Sequence, residues 1–352
     1  MSPMKLIPII LTLVLLTACG GSASVQTPPA TATVSIASPT LTESPMPTSI
    51  PIAATAEPWC AHSLKDDFVI IGYLPEYREL NPEWGKCLTD IIYFSAEPRA
   101  DGTLDTSRLS DVTWQGLQTM KADYGTRPHL SVGGWERSHG FAPMVAGINS
   151  RAAFIQSLLE FVSEHNLDGV DFDWEFPETE IEFKNYLAFL TEIKTAFASS
   201  GLIVSVALSA DNESSMDSSQ FAIVDRIYVM SYDRGFLHST YNMSIEDLNT
   251  FTINGISKQK LFLGVPFYGR KITSPFTPFS YQEIMTQYHP LADLDQVDDI
   301  YFNGAATLQY KTCFVRENDF GGIMIWELGQ DTWDETSLLR AIYQAAVGGC
   351  PP

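Results

Sequence analysis

The chain has 352 residues, 45% of them hydrophobic and 18% charged, which is enough for one large core. Its formal charge is −21, from 42 acidic and 21 basic residues. Nucleic-acid binding relies on clustered Lys and Arg that displace counterions, so that class is disfavoured, whereas an acidic surface suits neutral or cationic ligands.

At the N-terminus, Lys5 precedes the apolar run Leu6 to Leu16. Eleven residues are too few to cross a hydrocarbon layer of ~30 Å, and they match the apolar core of a signal peptide. Leu16-Thr17-Ala18-Cys19 resembles a bacterial lipobox. The expectation is a lipoprotein signal peptide over residues 1–18 and a lipidated Cys19, anchoring an exported protein that faces the periplasm or the cell exterior. From Cys19 to residue 58 the chain is rich in Ser, Thr, Pro and Ala, with only Glu43 and Glu57 charged. Such a segment buries too little apolar surface to order itself and reads as a disordered tether. The folded domain is expected over residues 59–352.

Short apolar runs then recur with helical stretches between them. In order they are 68–73, 90–95, 129–133, 169–175, 202–208, 226–232, 261–266 and 322–327. Near-continuous apolar strands alternating with helices indicate a parallel sheet covered on both sides. Phe154, Leu158 and Phe161 recur at three- and four-residue steps, as do Phe183, Leu187, Leu190, Ile193 and Phe197. Eight such units predict a single α/β domain, a (β/α)8 barrel. An open doubly wound sheet is the alternative, but no Gly-rich dinucleotide turn follows the first strand. Cys60, Cys87, Cys313 and Cys350 match no zinc spacing. Disulfides are expected, with three connectivities open and free buried cysteines as the alternative. Cys60–Cys87 with Cys313–Cys350 is favoured, because each pair falls on adjacent barrel units.

The fourth run, Asp168-Gly-Val-Asp171-Phe-Asp173-Trp-Glu175, carries the chemistry. Side chains alternate along a strand, so Asp171, Asp173 and Glu175 share one face while Val170, Phe172 and Trp174 share the other. The apolar face packs on helices, which turns the acids into the barrel and toward its C-terminal mouth. Carboxylates that close repel, so their titrations couple and at least one stays protonated near neutral pH. A Glu kept protonated this way is a general acid. A metal site is disfavoured: His165 precedes the strand, and the linear acid spacing does not wrap an ion. No metal or other cofactor is expected.

These residues resemble the signature of glycoside hydrolase family 18, the chitinase-type hydrolases. Ser131-Val-Gly133-Gly134-Trp135, Met230-Ser-Tyr232-Asp233, Leu263-Gly-Val-Pro-Phe-Tyr268-Gly-Arg270 and Gly321-Gly-Ile-Met324-Ile-Trp326-Glu327 are similar to further family motifs, each on its expected strand. The resemblance implies endo-acting, retaining cleavage of β-1,4-linked N-acetylglucosamine in chitin or chitooligosaccharides, with the substrate's acetamide as nucleophile, a route that stands apart from the two-carboxylate scheme. It makes Glu175 the acid and base, Asp173 the partner of the acetamide N–H, Asp171 a proton-sharing neighbour and Tyr232 a donor to the acetamide oxygen. Trp326 becomes the floor under the sugar and Asp233 a sugar contact. Met230, Tyr73, Trp135, Tyr268 and Glu327 are further substrate-binding candidates, while Asp168 reads as structural. Only fifty residues separate Arg270 from Gly321, so the larger α+β insertion of many family members is absent and a shallower cleft is expected. A monomer is expected. Alternatives are an endo-β-N-acetylglucosaminidase or a peptidoglycan-acting hydrolase of the same family, or a non-catalytic glycan-binding protein.

Overall fold

Apolar strands separated by amphipathic helices bury both strand faces when the sheet closes on itself. The computed structural model shows this closure; it describes Cys60, Leu64 and residues 68–210, 218–348 and 350. Residues 1–58, and with them the signal peptide, Cys19 and the tether, lie outside the described residues. The barrel strands are β1 (Val69–Pro75), β2 (Asp90–Pro98), β3 (Arg127–Gly133) and β4 (Gly169–Asp173). They continue with β5 (Ile203–Leu208), β6 (Arg226–Val229), β7 (Leu261–Pro266) and β8 (Gly322–Trp326). Each is parallel to its neighbours, and β1 pairs with both β2 and β8, which closes the ring. The domain is a (β/α)8 barrel.

Two apolar layers hold it together. Inside the barrel, Ile71, Ile92, Tyr228, Phe262 and Met324 form one cluster. Outside it, Val170, Phe172 and Trp174 of the β4 segment join the helices in a second, larger cluster. Phe172 is fully buried edge-on against Phe189, and burying one such side chain stabilises the fold by about 1.5–3 kcal/mol. The helices are α1 (Asp111–Tyr124), α2 (Phe141–Ala146), α3 (Ile148–Glu164) and α4 (Glu180–Phe197). They continue with α5 (Tyr241–Ile253), α6 (Tyr281–Tyr288), α7 (Ala305–Glu317) and α8 (Leu338–Gly348). α4 starts on a capping box: Thr179 accepts from Glu182 N–H while the Glu182 carboxylate accepts from Thr179 N–H. Its buried stripe includes Phe183, Leu190, Ile193 and Phe197, the face expected from the periodicity.

Two differences from the sequence expectation bear on the site. β4 ends at Asp173, so Glu175 stands on the loop that leaves the strand rather than within it. The short segment after β7 is also organised: strands Tyr268–Lys271, Pro278–Ser280, Gln296–Val297 and Ile300–Tyr301 form an antiparallel sheet, with α6 beside it. The alternation that marks a parallel barrel strand is missing from such two- to four-residue pieces, so periodicity does not reveal them. Cys60–Cys87 and Cys313–Cys350 are bonded, with Cα separations of 5.2 and 5.5 Å. Loops of 27 and 37 residues each remove ~3–4 kcal/mol of unfolded-chain entropy in the loop-closure account.

Candidate active site

β4 is flanked by β3 and β5, and its register places Asp171 beside Ser131 and Ser205, and Asp173 beside Gly133. Tyr73 on β1 donates its hydroxyl to Asp171 Oδ2 at 2.7 Å, and Ser205 donates to Oδ1 at 2.8 Å. Two hydroxyls therefore fix a carboxyl that no solvent reaches. Burial nonetheless dominates and pushes Asp171 up to about 6. Asp173, next along the same face, rises well above the usual range through burial, then through Glu175 and Asp171. Its Oδ1 is buried without a hydrogen-bond partner, a costly arrangement unless something else supplies a donor.

The turn after β3 shapes the approach to Glu175. Gly133 and Gly134 adopt φ of 97° and 103°. A Cβ on Gly133 would clash with Asp173 O, and one on Gly134 would strike Phe94. Gly134 N–H donates to Asp173 O at 2.6 Å, and Ser138 Oγ bridges the two segments by donating to Asp173 O and accepting from Glu175 N–H. Glu175 is half-buried and pushed up to about 7, mainly by burial and also by Asp233, although Trp135 N–H acts against the rise.

A pocket of about 140 Å³ opens over these carboxyls. Tyr73, Trp135, Asp173, Glu175, Met230, Tyr232, Asp233, Tyr268 and Trp326, all singled out from the sequence, line it. Ala207 and Met324 line it too, small or flexible apolar residues that carried no chemical signal in the sequence. Trp326 is braced edge-on by Phe94 at 4.8 Å and Tyr73 at 5.6 Å. Arg270 donates to Asp233 Oδ1 at 2.8 Å, and His238 Nδ1 lies 3.5 Å from the same oxygen. Partial burial opposes ionisation of Asp233, but His238, Tyr268 and Arg270 override it and hold the carboxyl below its ordinary value.

Two sequence candidates stand apart from the pocket wall. Asp171 lies beneath it. Glu327 is fully buried, and its carboxylate accepts from Arg78 at 2.9 Å and Gly329 N–H at 2.8 Å. Both carboxylate oxygens are engaged within the protein, so Glu327 fixes the β8 loop and is not placed to contact a ligand. Asp168 pairs with Lys121 at 2.8 Å. A second cavity of about 390 Å³, bounded by Glu136, Ser138, His139, Glu178 and Glu182, shares Trp135 and Glu175 with the first. No motif marked that half of the cleft.

Residues 69–331 match the family Glycosyl hydrolases family 18. The chain belongs to that family. Chitinase A1 of Niallia circulans is 26% identical over 288 residues, 58% of this chain and 41% of that relative, so the chain spans less than half of the longer protein. Chitinase 1 of Aphanocladium album is 23% identical over 333 residues, covering 73% of this chain and 79% of the relative. A solved chitinase from Bacteroides thetaiotaomicron superposes with a TM-score of 0.71 at 25% identity, covering 79% of this chain and 96% of that one. The family 18 chitinase from the chitin utilization locus of Flavobacterium johnsoniae gives a TM-score of 0.68 at 27% identity, covering 79% and 94%.

Proposed function

We propose that this family 18 protein is a retaining hydrolase of β-1,4-linked N-acetylglucosamine, in chitin or chitooligosaccharides, acting through an oxazolinium intermediate. The observation that carries the reading is the acidic column itself: Asp171, Asp173 and Glu175 rise from barrel interior to pocket, with Asp173 Oδ1 unpartnered. A carboxylate nucleophile must be ionised and free beside the anomeric carbon. Burial, then Glu175 and Asp171, push Asp173 well above the usual carboxylate range, and Asp233 is engaged by Arg270. The resemblance to family 18 supplies the nucleophile of this reading, the acetamide of the substrate.

Glu175, protonated near neutrality, gives its proton to the glycosidic oxygen as the bond from that oxygen to C1 breaks. The acetamide oxygen closes on C1, and its N–H donates to Asp173, whose proton is shared toward Asp171. Tyr232 donates its hydroxyl to the acetamide, and Trp326 supports the apolar sugar face. Glu175, now a carboxylate, takes a proton from the water that attacks C1 and opens the ring. Substrates lacking the N-acetyl group at the cleaved sugar should not turn over. Incubating residues 59–352 with chitooligosaccharides and with a high-mannose glycopeptide tests the substrate class. Cleavage confined to the glycopeptide would favour the endo-β-N-acetylglucosaminidase alternative, and binding without turnover of either would favour a glycan-binding protein.

For location, the proposal is a monomer anchored through lipidated Cys19, with residues 20–58 as a spacer. Cys19→Ser should move the protein from the membrane fraction to the soluble one; retention in the membrane fraction would contradict it.

A further inference from the structure

β3 and β4 stay in register to their ends, Gly133 beside Asp173, and one more rung follows, from Gly134 N–H to Asp173 O at 2.6 Å. The parallel ladder would continue from Glu175 N–H to Gly134 O. Ser138 stands in that place. Its Oγ accepts from Glu175 N–H at 3.0 Å and shares its own proton between Gly134 O at 3.0 Å and Asp173 O at 3.1 Å. A side-chain hydroxyl thus replaces the rung that would have fixed the backbone of the acid.

The rest of the turn shows which of these bonds matters. Without Ser138, Asp173 O keeps Gly134 N–H as a donor, and Gly134 O keeps Arg137 N–H at 2.9 Å. What the hydroxyl adds is the acceptor for Glu175 N–H, and an alanine there would leave that donor unmet. Ser138 is itself held in place. It is buried, its carbonyl accepts from Phe141 N–H at 3.1 Å, and Phe141 stacks at 5.2 Å on Trp174, the residue before the acid. The same turn carries Trp135, whose N–H bonds the Glu175 carboxyl and opposes the upward push of burial. Tyr73, Asp173, Tyr232, Asp233 and Tyr268 line the inner pocket with Glu175, and Glu136, His139, Glu178 and Glu182 line the outer cavity. The acids among them disfavour a charged Glu175, Asp233 most directly.

We propose that Ser138 is a positioning residue for the acid, its hydroxyl holding the Glu175 backbone where the carboxyl meets Trp135 N–H. Resting on the hydrolase reading above, this gives the hydroxyl two duties. It aims the carboxyl at the glycosidic oxygen, and it keeps a donor on the carboxylate that remains once the proton has gone.

The test titrates Glu175 directly by carbon-13 NMR on protein labelled at its glutamate carboxyls, the signal being assigned by its loss in Glu175→Gln. This readout needs no turnover. In the unaltered protein the midpoint should lie at about 7. Ser138→Ala releases the carboxyl from Trp135 N–H, so the protonated form gains and the midpoint should rise by about one pH unit, the worth of one net hydrogen bond. Ser138→Thr, which keeps the hydroxyl, should restore it. On chitooligosaccharides, kcat of Ser138→Ala should fall about 10–100-fold with KM little changed, as expected for a misplaced acid. Should Ser138→Ala fail to fold, Ser138→Cys, whose thiol is a weaker donor and acceptor, should show a smaller rise in the same direction. A midpoint that stays in place in a folded Ala or Cys variant overturns the proposal, whatever happens to Tm, because a purely structural serine would change stability and leave the titration alone. A midpoint that rises in a protein that cleaves no N-acetylglucosamine chain would uphold the role of Ser138 and sink the hydrolase reading instead, so the two failures are told apart.

Discussion

Asp90 and Asp171 are both fully buried inside the same barrel, one at the start of β2 and one in the middle of β4, yet their carboxyls shift in opposite directions. Burial penalises both. At the base, Asp90 accepts from Arg127 at 2.7 Å, Arg226 at 3.0 Å and the His129 ring at 2.8 Å, and these partners hold it far below the usual carboxylate range. His129, itself buried, is pushed down and stays neutral. Toward the mouth, Asp171 has only uncharged hydroxyl partners, too little to offset burial, and Asp173 above it is raised by burial and then by Glu175 and Asp171. The base satisfies its acid; the mouth leaves acids under-satisfied, which is the condition a general acid needs.

The largest effect that probes this contrast is at Glu175. Glu175→Gln should lower kcat by about 10²–10⁴-fold, the usual contribution of a positioned acid, while binding of chitooligosaccharides persists. Activity that survives would remove Glu175 from its role. Next in size is Asp90→Asn, which leaves Arg226 buried beside a neutral amide. Breaking a buried pair in this way costs about 3–5 kcal/mol, visible as a fall in Tm with little effect on the pH profile of the remaining activity. Asp171→Asn should do the reverse, abolishing most turnover while Tm at neutral pH holds or rises.

The two ends also predict opposite pH dependence of stability. Asp171 titrates at about 6 when folded and near 3.8 when unfolded, so the folded state binds the extra proton between those values. Its contribution to stability falls as pH rises through that window. The Asp90 carboxyl is depressed when folded, so its contribution is present above about 4 and lost as pH falls below it. Calorimetry of Asp171→Asn and Asp90→Asn across pH 3–8 should therefore show the difference from the unaltered protein growing toward high pH for both. The signs should differ, stabilising for the first and destabilising for the second. The smallest expected effect is kinetic: kcat/KM should decline as pH rises through about 7, where Glu175 loses its proton.

Much of the mouth was legible because the period-two alternation of β4 is local. Val170, Phe172 and Trp174 fix which way Asp171 and Asp173 face, and no long-range contact is needed to read it. Glu175 fell on the expected side even though β4 stops two residues earlier, since the loop keeps its backbone N–H on Ser138. The base was not legible. Asp90 and Arg226 are 136 residues apart and carry no motif; only the closure of the ring brings them together. Glu327 shows the same limit, since its partner Arg78 is 249 residues away and no local pattern says that its carboxylate is occupied.

The claim on which the rest depends is that the nucleophile comes from the substrate, with Glu175 serving as acid and then base on one sugar face. It is tested most directly by following the hydrolysis of chitohexaose by proton NMR from the first minutes, before mutarotation scrambles the products. The account predicts that the new reducing end appears as the β anomer and relaxes slowly toward the α form. Initial appearance of the α anomer would contradict it.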